Sequence, residues 1–129
     1  MPIIVKSPEA LPTLPVFSQA AIGSGKLVFV SGNIGCDSTF TVLPGGVGAQ
    51  TAAALDNIEK VLKAAGSSLQ KIVKANVYMR NMERDFKSMN EVYARYFPEG
   101  AMPARTCIGV AYLPFEADVE IECVAEVPE

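Results

Sequence analysis

The changes of hydrophobic period along the chain constrain its fold more than any other feature. Residues 48–65 carry apolar side chains at three- and four-residue steps, which predicts an amphipathic helix. Residues 72–79 alternate apolar and polar side chains, which predicts a strand with one buried face. Residues 82–97 return to helical spacing and predict a second helix. A strand enclosed by two helices indicates a fold that mixes both elements.

Further strands are predicted on both sides of these three elements. Gly23-Ser24-Gly25 lies between the predicted strands 17–22 and 26–31 and predicts a hairpin that joins them. A short additional strand is predicted from Thr39 to Leu43, and the Pro-rich residues 1–16 are expected to be an irregular or extended lead-in. The four main segments rich in strand-forming residues are 17–22, 26–31, 105–112 and 118–125.

Local signals set the ends of the predicted helices. Gly66 stands where a left-handed residue would end the first helix, and Asn81 is suited to cap the second. Pro98 is expected to stop the second helix.

The predicted order is β-β-(β)-α-β-α-β-β, without strict βαβ alternation. It therefore favours an α+β fold, in which two helices pack on one face of a mixed sheet, within a single domain of residues 1–129. The other face of such a sheet also needs cover, and a homo-oligomer would provide it.

Composition supports a soluble, self-associating protein. Of 129 residues, 50% are hydrophobic and only 19% are charged, below the roughly 25% usual for soluble domains. The net charge of −3 argues against nucleic acid and anionic membranes as partners. The N-terminal residues resemble neither a signal peptide nor a transit peptide. We therefore expect a cytoplasmic protein, with the mitochondrion as the alternative.

The chain contains no His, which excludes several chemistries within one chain. Ser-His-Asp triads, Cys-His dyads and His-ligated metal sites all need one. The three cysteines Cys36, Cys107 and Cys123 are far apart and form no CxxC pair. This usage is typical of a reducing compartment.

Arg105 opens an otherwise apolar segment and is a candidate ligand-binding residue. With strand periodicity it shares a face with Cys107, Gly109 and Ala111, all of them small. A guanidinium among small residues suggests a pocket floor, and its paired donors match a carboxylate. The alternative is an Arg at a strand end that faces solvent.

Glu120 and Glu122 alternate with apolar residues and therefore share the opposite face of the last predicted strand. Such a pair is ordinary on a strand with one wet side. In a functional site, one carboxylate would act as a base or hold a water molecule. The local pattern does not choose between them.

Taken together, these segments resemble the Rid family, the reactive-intermediate deaminases also called YjgF/YER/UK. The resemblance runs from about Phe17 to Ala125. It is carried by elements in the family's order: Phe17-Ser18-Gln19-Ala20, Val30-Ser31-Gly32-Asn33-Ile34-Gly35, Met89-Asn90-Glu91-Val92-Tyr93, Pro103-Ala104-Arg105 and Val119-Glu120-Ile121-Glu122.

The resemblance implies a chorismate-mutase-like fold assembled as a homotrimer, with clefts between subunits. It also implies hydrolysis of a small-molecule 2-imino acid substrate, such as 2-iminobutanoate or 2-iminopropanoate, to a 2-oxo acid and ammonia. Because an imine carbon is already electrophilic, the reaction needs no cofactor or metal, only an orienting cation and a water near a carboxylate.

The resemblance also implies roles for individual residues. Arg105 would clamp the substrate carboxylate, and Glu120, rather than Glu122, would lie near the attacking water. Cys107 would offer backbone contacts, and the other residues expected to line the cleft are Ser31, Gly32, Asn90 and Phe17. Three positions depart from the family pattern: Phe17 stands where the family has Tyr, Asn33 where it has Gln, and Thr106 where it has a small residue.

Two other functions stand beside deamination. A non-catalytic trimer that binds small carboxylate metabolites would need Arg105 but no essential Glu120. A ribonuclease or translation inhibitor is disfavoured by a pI of about 5.0 and the lack of His.

Overall fold

A computed structural model describes residues 1–128. It contains six strands and two α-helices in these residues, so the α+β prediction is confirmed. In chain order the elements are β1 (Ile3–Val5), β2 (Ala20–Ile22), β3 (Lys26–Ile34), α1 (Gly46–Ala64), β4 (Ile72–Met79), α2 (Met82–Ala94), β5 (Ala104–Gly109) and β6 (Val119–Val127).

The main sheet has the strand order β3-β6-β4-β5 and is mixed, as predicted. Strand β6 pairs antiparallel with both β3 and β4, and β5 pairs parallel with β4 at the edge. Both helices contact this sheet, α1 against β3 and β6 and α2 against β4. A buried core lies between them and includes Leu55, Ile58, Val77 and Ile121.

The predicted hairpin between β2 and β3 is wrong. Strand β2 pairs instead with β1, which lies in the Pro-rich lead-in, whereas β3 pairs with β6. The intervening turn is held by tertiary contacts, because the backbone N–H of Ser24 donates to the carboxylate of Glu126 at 2.8 Å. Long-range contacts have overridden the local hairpin signal here.

The short strand predicted from Thr39 to Leu43 is also wrong, since only Val42 makes an isolated bridge, with Cys36. Asp37 explains the difference. Its Oδ1 accepts hydrogen bonds from the backbone N–H groups of Thr39 and Thr41, at 2.8 and 3.1 Å, and folds the segment into a turn.

The helix caps are as predicted. Gly66 has a φ of +81°, and the side chain of Asn81 accepts from the backbone N–H of Arg84 at 3.1 Å. Helix α2 ends at Ala94 rather than residue 97. The next turn is closed by hydrogen bonds between residues three apart, as in a 3₁₀-helix, from Tyr96 N–H to Tyr93 O and from Phe97 N–H to Ala94 O.

The last two strands have different bounds from those predicted. Strand β5 stops at Gly109 rather than residue 112, since its partner β4 ends at Met79. The last bond between the two segments runs from Val110 N–H to Met79 O at 2.8 Å. Strand β6 continues to Val127 rather than residue 125, since Leu27 and Lys26 extend its pairing with β3.

Candidate active site

Arg105 lies on the helix-covered face of the sheet. It is opposite Ala75 of β4, which is 1% exposed, and its guanidinium lies over the ring of Tyr93, 4.8 Å from the ring centroid. Its Nη1 donates to the sulfur of Met89 at 3.7 Å. Tyr93 and Met89 both belong to α2, so the helix and the edge strand together orient this cation.

No acidic side chain among residues 1–128 forms an ion pair with Arg105. Burial lowers the pKa of its guanidinium. A half-buried cation without a carboxylate partner is costly, and an incoming carboxylate would relieve that cost. The position therefore suits an anionic ligand.

Cys107 shares the face of Arg105, as the sequence predicts, because it lies opposite Val77 two pairs further along β4. Burial raises the pKa of the Cys107 thiol. The side chain is therefore a neutral thiol near pH 7 and a poor nucleophile. This agrees with a role in packing and backbone contacts rather than in covalent chemistry.

Phe17 and Asn90 lie on segments next to Arg105. Ser18, which follows Phe17, bridges to Ala104, and its backbone N–H donates to Pro103 O at 3.2 Å. Phe17 packs against the main core. Asn90 lies on α2 and its Oδ1 is buried without a hydrogen-bond partner in the described chain. We name Arg105, Cys107, Phe17, Asn90 and Tyr93 the arginine group.

Glu120 lies on the other face of the sheet. It pairs with Tyr78 of β4, three residues after the Ala75 that pairs with Arg105. Because alternate residues of a strand point to opposite faces, the Arg105 and Glu120 side chains lie on opposite sides of the sheet. Within one chain, the two predicted catalytic residues do not meet.

Ser31 and Gly32 lie in a bulge of β3 next to Glu120. The pairing runs from Val30 with Cys123 to Asn33 with Ile121, so Ser31 and Gly32 together oppose Glu122. A Cβ built on Gly32 would lie 2.6 Å from a Glu120 carboxylate oxygen. We name Ser31, Gly32, Glu120 and Glu122 the glutamate group.

The structure distinguishes the two carboxylates of this group. Burial, and secondarily the charge of Glu122, raise the pKa of Glu120. Glu122 instead accepts a hydrogen bond from Asn76 Nδ2 at 3.3 Å. Glu120 accepts no hydrogen bond within residues 1–128, and its raised pKa suits it to accept a proton.

Sequence reasoning missed two contributors to these groups. Tyr93 belongs to the main core, and its ring also faces Arg105. Tyr78 lies beside Glu120 and Glu122. Burial is the main cause that raises the pKa of its hydroxyl, and the charges of these two carboxylates raise it further. Neither contact could be found without the strand register, which a single sequence does not contain.

Among residues 1–128, no group of three or more Cys, Asp or Glu side chains is placed to hold a metal ion. No helix in the same range is both long and apolar enough to cross a membrane.

Comparison with known proteins gives a consistent result. The model of the family described as Endoribonuclease L-PSP matches residues 7–127. The chain is 43% identical over 124 residues to the RutC family protein UK114 of Drosophila melanogaster, covering 95% of this chain and 87% of that protein. It is 37% identical over 123 residues to the mouse protein named 2-iminobutanoate/2-iminopropanoate deaminase, covering 95% and 89%.

A solved structure extends the likeness to the fold. The crystal structure of RidA from an Antarctic Psychrobacter aligns with a TM-score of 0.72 and 34% identity, over 94% of this chain and 96% of that one. These likenesses place the chain in the class of small α+β proteins that the L-PSP description covers. The chain belongs to the Rid (YjgF) family, which confirms the resemblance seen in its sequence.

Proposed function

We propose that this protein hydrolyses small 2-imino acids to 2-oxo acids and ammonia, at sites formed between the chains of a homotrimer. The observation that carries the proposal is the Arg105 guanidinium, half-buried, oriented by α2 and without an acidic partner in the described chain. A guanidinium binds a carboxylate through two parallel hydrogen bonds, which fixes the ligand in one orientation.

Glu120 completes the chemistry. Its raised pKa suits it to take a proton from the attacking water as the new C–O bond forms at the imine carbon. The C=N π electrons move to the nitrogen as this bond forms, and Glu120 returns the proton to that nitrogen, which gives a carbinolamine. The second proton of the water then passes from the hydroxyl to the nitrogen as the C–N bond breaks and the C=O bond forms, and ammonia departs. One water is consumed, and no oxidant, reductant or metal enters this balance.

A second chain would bring the two groups together. Arg105 and Glu120 lie on opposite faces of one sheet, so a site that uses both needs the arginine group of one chain and the glutamate group of another. The sheet face that bears Glu120 also exposes large apolar side chains that an assembly would cover: Phe29 (73%), Ile108 (46%) and Leu27 (44%). A closed trimer would form three such shared sites and would cover this apolar face in each chain.

The relatives support deamination but name other activities too. The mouse and rat relatives named 2-iminobutanoate/2-iminopropanoate deaminase are both 37% identical to this chain. The family description names an endoribonuclease. This chain carries a net charge of −3 and no His, which makes it poorly suited to bind and cleave a polyanion.

A non-catalytic carboxylate binder is the second candidate, and Phe17 favours it. Phe17 provides no hydroxyl beside the arginine group, where the family pattern has Tyr. Phe17→Tyr is expected to leave folding intact and to raise activity or leave it unchanged. A binder would tolerate Glu120→Gln, whereas an imine hydrolase would not.

The proposal is tested by generating 2-iminobutanoate in situ from an amino acid and measuring ammonia release with and without the protein. Acceleration above the uncatalysed rate is expected, and Arg105→Lys and Glu120→Gln should remove most of it. In parallel, the mass in solution should be three times the 13.7 kDa of one chain. A mass of one chain at micromolar concentration would contradict the shared site.

A further inference from the structure

The Tyr93 side chain is completely buried yet touches the charged end of Arg105. It is 0% exposed, its ring lies 5.0 Å from that of Phe97, and the Arg105 guanidinium lies 4.8 Å from its centroid. Burial raises the pKa of the Tyr93 hydroxyl, so the ring stays neutral near pH 7. The face of a neutral aromatic ring carries the partial negative charge that attracts a cation.

Arg105 must be oriented by something other than an acid. A carboxylate would hold the guanidinium but would also occupy the donors that a substrate carboxylate needs. Tyr93 contacts the flat side of the guanidinium, and Met89 takes one Nη1 donor through a weak sulfur acceptor at 3.7 Å. Most of the five N–H donors therefore stay available to a ligand.

The contact depends on the ring and not on the hydroxyl. The Tyr93 hydroxyl oxygen is buried and has no hydrogen-bond partner among residues 1–128. It therefore makes no bond to Arg105. An aliphatic side chain of similar size could fill the same space, but it would offer no negative face to the guanidinium.

We propose that Tyr93 is a positioning residue whose aromatic ring holds the Arg105 guanidinium in the orientation that receives the substrate carboxylate. This inference rests on the proposed function. It predicts that the ring affects carboxylate binding through Arg105 and has less effect on the chemical step at the imine carbon.

Four forms of the protein test it: wild type, Tyr93→Phe, Tyr93→Leu and the control Leu62→Ala, a buried α1 residue of the same core. KM and kcat are measured for 2-iminobutanoate, and Kd for the product 2-oxobutanoate by calorimetry. Tyr93→Leu should raise KM and Kd about tenfold, with a smaller change in kcat. Leu62→Ala should stay within about twofold of wild type, and Tyr93→Phe, which keeps the ring, should change KM and Kd much less than Tyr93→Leu does.

Two results would overturn the proposal. Either Tyr93→Phe raises KM as much as Tyr93→Leu, or Leu62→Ala, which loosens the same core, raises it equally. Should Tyr93→Leu not fold, pentafluorophenylalanine at position 93 replaces it, because it keeps the size of the ring and reverses the charge of its face. It should then raise KM and Kd relative to Tyr93→Phe, and equal values would contradict the proposal.

A spectroscopic readout separates this inference from the proposed function. The Arg105 Nε–H resonance should show a ring-current shift in wild type and Tyr93→Phe and lose it in Tyr93→Leu. If wild type hydrolyses no imine, the proposed function fails, and this shift still decides whether the ring holds Arg105. An unshifted Arg105 resonance in wild type would overturn the positioning role.

Discussion

Gly32 lies directly against the carboxylate of Glu120, and a Cβ at position 32 would stand 2.6 Å from the Glu120 Oε2. Atoms do not approach this closely without a hydrogen bond, so a side chain at position 32 would have to displace the carboxylate. Because the displaced atoms are the end of a flexible side chain, the backbone of the bulge need not move.

Gly32→Ala is therefore expected to lower kcat for imine hydrolysis about tenfold or more while leaving the melting temperature nearly unchanged. Gly48→Ala is the matched control, because its Cβ would meet Val92 at an ordinary 3.5 Å. Steady-state kinetics and thermal melts of both variants check this. Wild-type kcat in Gly32→Ala would show that the position of Glu120 is unimportant.

The pH dependence of the rate is expected to report Glu120. A base must be ionised, so kcat/KM should fall as the pH drops through the raised pKa of Glu120, above the ordinary carboxyl value of 4.5. Glu122→Gln removes the charge that is the second cause of the raised Glu120 pKa. The acid limb of the profile, where kcat/KM falls, should therefore move to lower pH. A limb that stays in place in Glu122→Gln would contradict this account.

The raised pKa of Glu120 also affects the free energy of unfolding. Since the folded pKa of Glu120 is raised, its ionisation destabilises the fold as the pH rises through that value. Glu120→Gln is therefore expected to lose activity without losing stability at neutral pH. Denaturant unfolding at pH 7 compared with pH 4 checks this, and a marked loss of stability at pH 7 would count against it.

Arg105→Lys is expected to lose most activity in a folded protein. Lys keeps the positive charge but lacks the planar fork that fixes a carboxylate at two points. The loss should be on the order of 1.5–3 kcal/mol, about tenfold to a hundredfold in kcat/KM. Arg95→Lys, at an exposed site directly after α2, is the control. Near-normal turnover by Arg105→Lys would show that Arg105 is not the clamp.

Tyr93→Phe is expected to stabilise the protein. It removes a buried hydroxyl without a partner in the described chain, which should add about 1 kcal/mol to the free energy of unfolding. Tyr96→Phe should do the opposite, because the Tyr96 hydroxyl lies 3.0 Å from Asp56 Oδ1 and 3.1 Å from Ala52 O. Chemical denaturation of both variants checks this. A Tyr93→Phe variant less stable than wild type would show that the Tyr93 hydroxyl makes a stabilising contact.

The elements predicted best from the sequence are those specified by local pattern. The bounds of β4, Ile72–Met79, agree with the prediction. Asn81 caps α2 through its own side chain, and Gly66 follows α1 in the left-handed conformation. The α+β class follows from the same periodicities. These features need no knowledge of distant residues.

The wrong predictions depended on distant residues. Gly23-Ser24-Gly25 has the composition of a hairpin turn, yet Glu126, about a hundred residues away, binds Ser24, and β1 takes the place of β3 as the partner of β2. For the same reason, the face shared by Arg105 and Cys107 was predictable from parity, whereas the opposite placement of Arg105 and Glu120 depends on register across three strands.

The most direct test of the central claim is a single-turnover comparison of wild type with Glu120→Gln and Glu122→Gln. With enzyme in excess over 2-iminobutanoate generated in situ, the rate of imine loss is followed, and binding of 2-oxobutanoate is measured separately. We expect wild type to accelerate imine loss well above the buffer rate, and Glu120→Gln to bind 2-oxobutanoate while accelerating imine loss far less than Glu122→Gln. Equal rates in wild type and buffer, or Glu122→Gln being the slower variant, would contradict the proposed deaminase with Glu120 as its base.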